Sequence, residues 1–124
     1  MKYLCLVYSE EQALAAMSKA EFEEFSDEHV AVDEDLKKSG HSLVAEALQP
    51  AHTATTLRVR NGKLTTTDGP FAETKEQLTG FYLVEARDLN EAIQCARRIP
   101  AVRIGSIEVR PIWDLRVHAP RAWQ

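Results

Sequence analysis

His29 is the residue whose position in this chain most invites proton chemistry. It stands between Phe22 and Phe25 on one side and Val32 and Leu36 on the other, at steps of three and four residues. A helix over this stretch therefore places a titratable ring in line with its apolar stripe. An imidazole at the edge of a core can be tuned by burial and neighbours toward the working pH, which general acid–base catalysis requires. Asp33, one helical turn on, is the carboxylate expected to orient the ring. The structural alternatives are a core histidine satisfied by one hydrogen bond, or a packing residue at a dimer interface.

The second concentration of functional groups is Asp68-Gly69-Pro70-Phe71-Ala72-Glu73-Thr74-Lys75-Glu76. Gly69 accepts backbone angles other residues avoid, and Pro70 fixes its own φ and removes a donor. Asp68 is suited to bond its own downstream backbone and close the turn. The segment reads as a stiff, non-helical elbow that brings carboxylates and an ammonium to one edge of the molecule. Asp68, Glu73, Thr74 and Lys75 are candidate ligand-binding groups facing a cavity between sheet and helix, with Arg58, Glu108 and Arg110 close by. The alternatives are a solvated loop and, for the strand charges, salt bridges between subunits.

Other chemistries find little support. His41, His52 and His118 are scattered without metal-ligand spacing, and no glycine loop of the Walker or dinucleotide type is present. Gly105-Ser106 is not a nucleophile elbow. No metal and no cofactor are expected. Cys5 falls in an apolar strand and Cys95 in a helix, so both read as buried small hydrophobes rather than a disulfide or a catalytic thiol. Trp113 and Trp123 read as packing or anchoring residues.

The elements that must hold these groups follow from periodicity. Lys2 to Tyr8 is apolar on both alternating faces, the mark of a central strand covered on both sides. Ser18 opens a helix with Glu21 three residues on, a capping box; Lys37 and Lys38 suit its last turn and Gly40 ends it. A strand from about His41 to Leu48 is stopped by Pro50. Thr53 to Arg60 and Lys63 to Thr67 flank Asn61-Gly62, a strong hairpin signal. That two-residue loop pairs Arg60 with Lys63, Val59 with Leu64 and Leu57 with Thr66. Leu57, Val59 and Leu64 then share one face, with Arg58 and Arg60 on the other. Gly80 to Ala86 is a second strand apolar on both faces. Asp88 caps a second helix whose expected apolar face is Leu89, Ala92, Ile93 and Ala96; Pro100 bars its continuation. The last strand runs from Ser106 to Trp113.

With the hairpin set aside, the order is βαββαβ, an α+β ferredoxin-like pattern whose first and third core strands are central. Two helices cover only one face of such a sheet. The other face is apolar on its central strands, so burial against a second copy is expected: a homodimer with sheets packed face to face.

The chain has 124 residues, 44% hydrophobic and 27% charged, with a net charge of −4. These values fit one domain with a real core and argue against a general nucleic-acid binder. No apolar run reaches membrane-spanning length, and the N-terminus lacks a signal-peptide pattern, so a cytoplasmic protein without membrane or nucleic-acid partners is expected.

DGPFAETKEQLTGFYLVEA, followed after a helix by GSIEVRPI, resembles the DGPF-type branch of the YCII-related proteins, from about Lys2 to Trp113. The resemblance implies a dimeric α/β barrel and one domain over 1–113, followed by a tail over 114–124. It also implies an active site that pairs a histidine on the first helix with an aspartate near the end of the last. His29 matches the histidine, whereas Ile99, just before Pro100, stands where the aspartate is expected. A proton-transfer role would then need Asp33, Asp68 or Glu73 as partner. The function expected is a small-molecule-binding dimer, regulatory in role. The alternative is a cofactor-free lyase or isomerase with His29 as general acid–base.

Overall fold

The computed structural model describes residues 1–116. It is an α+β arrangement with a four-stranded antiparallel sheet and a separate two-stranded one. Strand β1 (Lys2–Ser9) leads into a short helix α1 (Glu11–Ala15), a long helix α2 (Lys19–Lys38) and strand β2 (Ser42–Ala47). A single 3-10 turn (Ala51–Thr53) precedes the hairpin strands β3 (Thr55–Arg60) and β4 (Lys63–Asp68). Strand β5 (Gln77–Glu85), helix α3 (Leu89–Ala96), a 3-10 turn (Pro100–Arg103) and strand β6 (Ser106–Pro111) complete the order.

The main sheet runs β2-β5-β1-β6, so the two strands that are apolar on both faces occupy the centre. It is an open sheet with β2 and β6 at its edges; one chain does not close a barrel. Tyr3, Cys5 and Val7 of β1 and Tyr82 and Val84 of β5 form the core with Ala92 and Ala96 of α3 and with Ile99; Phe25 of α2 packs against them. Leu4 stands opposite Leu83 and Leu6 opposite Phe81 across the β1–β5 ladder. Side chains alternate along a strand, so these four residues share the face turned away from that core.

Local chemistry sets the ends of α2. Ser18 accepts from the Glu21 N–H at 3.1 Å, and the Glu21 carboxylate accepts from the Ser18 N–H at 2.9 Å. Gly40, with φ of 80°, turns the chain away at the other end. Asn61 and Gly62 both take positive φ, and the hairpin pairs Arg60 with Lys63, Val59 with Leu64 and Leu57 with Thr66, as its two-residue loop dictates.

The structure departs from the sequence expectations in several places. Helix α1 carries no apolar period and no side-chain cap, and was not anticipated. Strand β5 begins at Gln77 rather than Gly80, because it continues past a bulge between Val7 and Tyr8. Strand β6 ends at Pro111, short of Trp113. The buried face of α3 is Ala92, Cys95 and Ala96, while Leu89 and Ile93 stand at its exposed margin. Small residues allow α3 to lie close to the sheet, which turns its bulkier side chains outward. The hairpin forms a sheet of its own, so Leu57, Val59 and Leu64 share a face that remains about 60% exposed. Cys5 and Cys95 are free and buried. Burial, and then Cys95, pushes the Cys5 thiol up to about 11, far from a reactive thiolate. The expectations for His118 and Trp123, and for the tail beyond residue 116, lie outside the described residues.

Candidate functional site

The bulge in β1–β5 is where the site begins. Beyond it Tyr8 pairs with Leu78, and Thr79 is left to send its hydroxyl to the Val7 carbonyl at 3.3 Å. Gly80 brings β5 close to β2: a Cβ there would lie 2.9 Å from the Glu46 carbonyl oxygen. Helix α2 crosses above, and α1 closes one end. The space between them is a cleft of about 600 Å³. Leu14, Phe22, Phe25, Val30, Leu48 and Pro50 supply apolar walls, and the polar residues of the lining include Ser9, Ser26, His29, Asp33, Thr79 and Tyr82. A mostly apolar cleft of this size with a few convergent polar groups is the usual form of a small-molecule site.

His29 sits in the wall of this cleft with both ring nitrogens engaged by backbone. The Ala101 N–H donates to Nε2 at 3.3 Å, and Nδ1 lies 2.8 Å from the Phe25 carbonyl oxygen. Since Nε2 accepts, the proton is on Nδ1 and is donated to Phe25. The ring meets the Phe25 ring edge-on, with centroids 4.7 Å apart. Burial holds the imidazole pKa below its ordinary value, against the opposing pull of the Phe25 carbonyl and Glu28 and with the help of Arg103. His29 is therefore a neutral, oriented ring at neutral pH.

Asp33 does not orient it, contrary to the helical-spacing expectation. Its carboxylate accepts from the Ser42 hydroxyl and pairs with Lys37 Nζ at 2.8 Å. Tyr82 lies beside both residues, its hydroxyl donating to the His29 backbone carbonyl oxygen at 3.0 Å. Burial, with the Asp33 charge second, pushes the Tyr82 phenol up to about 12, so it stays a donor. Ile99 is fully buried in the core; among the described residues no carboxylate hydrogen-bonds the His29 ring, and Glu28, paired with Arg103, acts on it through charge alone.

The elbow after β4 lines a different depression, a groove of about 470 Å³. Glu73, Thr74 and Lys75 border it with Glu10, Glu11 and His52. Asp68 does not. It is the last residue of β4, paired with Thr55, and the turn is closed without its carboxylate: the Gly69 N–H donates to the Ala54 carbonyl and the Thr56 hydroxyl to the Gly69 carbonyl. The Thr74 hydroxyl is spent inside the loop on the Glu76 carbonyl. Among the described residues Arg58 hydrogen-bonds the Phe71 carbonyl, at 3.5 Å, and Arg110 pairs with Glu108. The expected constellation thus divides: His29 and Asp33 share the cleft, while Glu73, Thr74 and Lys75 share the groove. Glu11 borders both, its carboxylate accepting from the Ala51 N–H at 2.6 Å and its own N–H donating to Gln77 at 2.9 Å.

Ser9 and Tyr82 were missed as site residues. Ser9 continues the buried alternation of Tyr3, Cys5 and Val7, which is a signal in the sequence; the bulge that opens the cleft beside it is not. Among the described residues, no group of three or more His, Cys, Asp or Glu is placed to hold a metal ion, and no helix is long and apolar enough to cross a membrane.

The model of the YCII-related domain matches residues 1–116. The chain belongs to the YCII-related family. An uncharacterised protein of Rhizobium meliloti (strain 1021) is 40% identical to it over 114 residues, which cover 90% of this chain and 92% of the relative. Neither likeness carries an activity. Within this YCII-related chain, what the site does has to be argued from the cleft itself.

Proposed function

We propose that this YCII-related protein, of the DGPF-type branch, is a cytoplasmic homodimer of ferredoxin-like subunits that binds a small organic molecule in the cleft between α2 and the sheet, in a regulatory rather than a catalytic role. One observation carries the reading. The cleft has the volume and apolar walls of a ligand site, yet the histidine within it has both ring nitrogens held by backbone and, among the described residues, no carboxylate hydrogen-bonded to it. Such a ring shapes a pocket; it has no relay through which to pass a proton.

The open face of the sheet supports the dimer in this reading. Helices α2 and α3 lie on the core side of the sheet, and Leu4, Leu6, Phe81 and Leu83 form an apolar row on the other. A second copy packed face to face covers that row and gives the dimeric α/β barrel.

One feature favours the catalytic alternative, a cofactor-free lyase or isomerase with His29 as general acid–base. The Ala101 N–H to Nε2 bond is long, at 3.3 Å, and a ligand group that displaced it would meet a neutral imidazole lone pair. Thermal-shift screening of wild type and His29→Ala against a library of small aromatic and carboxylic metabolites separates the readings. Binding stabilises the native state with the logarithm of ligand excess over Kd. Hits lost in His29→Ala place the ligand in the cleft, and incubation of those hits then tests for turnover, which the regulatory reading does not expect. Hits that survive the substitution move the site to the groove beside Glu73 and Lys75.

A further inference from the structure

The β3–β4 hairpin faces the wrong way for a chain that stands alone. Its polar face turns toward its own elbow: the Thr56 hydroxyl donates to the Gly69 carbonyl at 2.8 Å, and the Arg58 guanidinium to the Phe71 carbonyl at 3.5 Å. Its apolar face points outward, with Leu57, Val59 and Leu64 exposed by 60%, 61% and 62%. A two-stranded ribbon is marginal in water unless something packs on it. Contiguous aliphatic side chains left this open mark a contact surface. On the open face of the main sheet, Leu4, Leu6, Phe81 and Leu83 are each less exposed than these three. A dimer made by the sheets alone would leave the hairpin's face in water.

Charge selects what covers it. The hairpin carries Arg58, Arg60 and Lys63 against a single carboxylate, Asp68. Hairpin against hairpin, the simplest two-fold contact, would bring both sets of cations together. Helix α2 offers the opposite charge, with eight carboxylates against three lysines. It also offers apolar surface: Phe22 and Val30 are 46% and 56% exposed where they border the cleft. Asp27 and Glu34, both exposed, stand one turn before and one turn after Val30. A ribbon laid on this strip keeps its cations within a Debye length of those carboxylates.

The reach is adequate. The hairpin leaves the sheet after edge strand β2 and returns into β5 at the cleft end, where Ala47 pairs with Gly80. Its strands have six residues each and span about 20 Å. Packed sheets lie about 10 Å apart, and a helix layer of about 10 Å diameter stands behind the partner's sheet.

We infer that the hairpin is an arm. In the homodimer proposed above, on which this inference rests, it reaches a second copy of the chain and lays Leu57, Val59 and Leu64 over the Phe22–Val30 strip of that copy's α2. Each cleft is then closed by the other subunit's hairpin, and the ligand site is complete only in the dimer.

The test co-expresses two single variants of the full chain, Val59→Cys and Val30→Cys, and treats the purified mixture with a flexible bis-maleimide. Both positions are exposed, so neither substitution disturbs the core, and Cys5 and Cys95 are buried away from the reagent. The mixture should give at least about tenfold more covalent dimer than either variant alone, because the two thiols then react within one assembly. Light scattering of wild type separates the failures. If wild type has twice the chain mass and the mixture gives no more product than the single variants, the arm is overturned while the dimer stands. Abundant product from Val59→Cys alone would set hairpin against hairpin and overturn it equally. If wild type has the single-chain mass, the inference falls with the dimer.

Discussion

The backbone N–H of Ala101 donates to Nε2 of His29 across 3.3 Å, tying the 3-10 turn after α3 to the middle of α2. This contact sets the tautomer of the ring, while burial is the main cause of its lowered pKa. A protonated ring would turn a donor toward the Ala101 N–H, two donors face to face.

That relationship has a pH consequence. The folded-state pKa of His29 lies below its ordinary 6.5, so below that value the unfolded chain binds more protons than the native one. Stability is expected to be fully present above the ordinary value and to fall as pH drops through it toward the folded-state pKa. Melting temperatures measured from slightly alkaline to mildly acid pH, above the carboxylate range, should decline in wild type. The decline should be shallower in His29→Ala. Parallel curves for the two proteins would show that His29 is not the group responsible.

The same substitution has a cost at any pH. His29→Ala removes the acceptor of the Ala101 N–H and the partner of the Phe25 carbonyl, and is expected to destabilise by about 1–3 kcal/mol in chemical denaturation. A loss below a few tenths of a kcal/mol would mean that water replaces both contacts without penalty.

Of the five glycines, Gly105 would bring an added Cβ closest to neighbouring backbone. A Cβ at that position would lie 2.0 Å from the Tyr8 carbonyl oxygen, so Gly105→Ala must push β6 away from β1. The expected loss is about 2–3 kcal/mol, in the range of overpacked cores, read as a lower denaturation midpoint. A variant as stable as wild type would show that the strands separate freely there.

Ser18→Ala tests the start of α2, and with it the wall of the cleft. It removes one half of the capping box and should cost about 1 kcal/mol. Amide exchange should rise in the first turn of α2 and not in α3; equal protection in both proteins would assign the helix start to tertiary packing instead.

The dimer is tested on the open face of the sheet. Phe81→Asp places a charge in the row formed with Leu4, Leu6 and Leu83. Light scattering should give twice the chain mass for wild type and the single-chain mass for Phe81→Asp, with little change in far-ultraviolet circular dichroism. Wild type at single-chain mass across micromolar concentrations would remove the dimer.

Much of this molecule was legible in the sequence because its signals are local. The Ser18–Glu21 box, Gly40 and the Asn61-Gly62 turn act over a few residues, and the hairpin register followed from loop length alone. Strands β1 and β5 were placed at the centre because each is apolar on both faces. Helix α1 was illegible for the converse reason: five residues without period or cap are held by contacts such as Glu11 to Ala51 and Gln77, which come from distant segments.

Sequence by itself determined the order of the six strands and the two longer helices, the central strands, the position of His29 on α2 and the family. Tertiary structure alone decided what those groups do. Helical spacing allowed Asp33 to reach His29, but the ring is taken by Phe25 and Ala101 and the carboxylate by Lys37 and Ser42. Proximity in sequence offered Asp68 with Glu73, Thr74 and Lys75 as one cluster, yet strand pairing with Thr55 carries Asp68 away from the groove. The reason is physical: a buried polar group goes to whichever partner the packed backbone brings within reach, and that partner is chosen by segments far away along the chain.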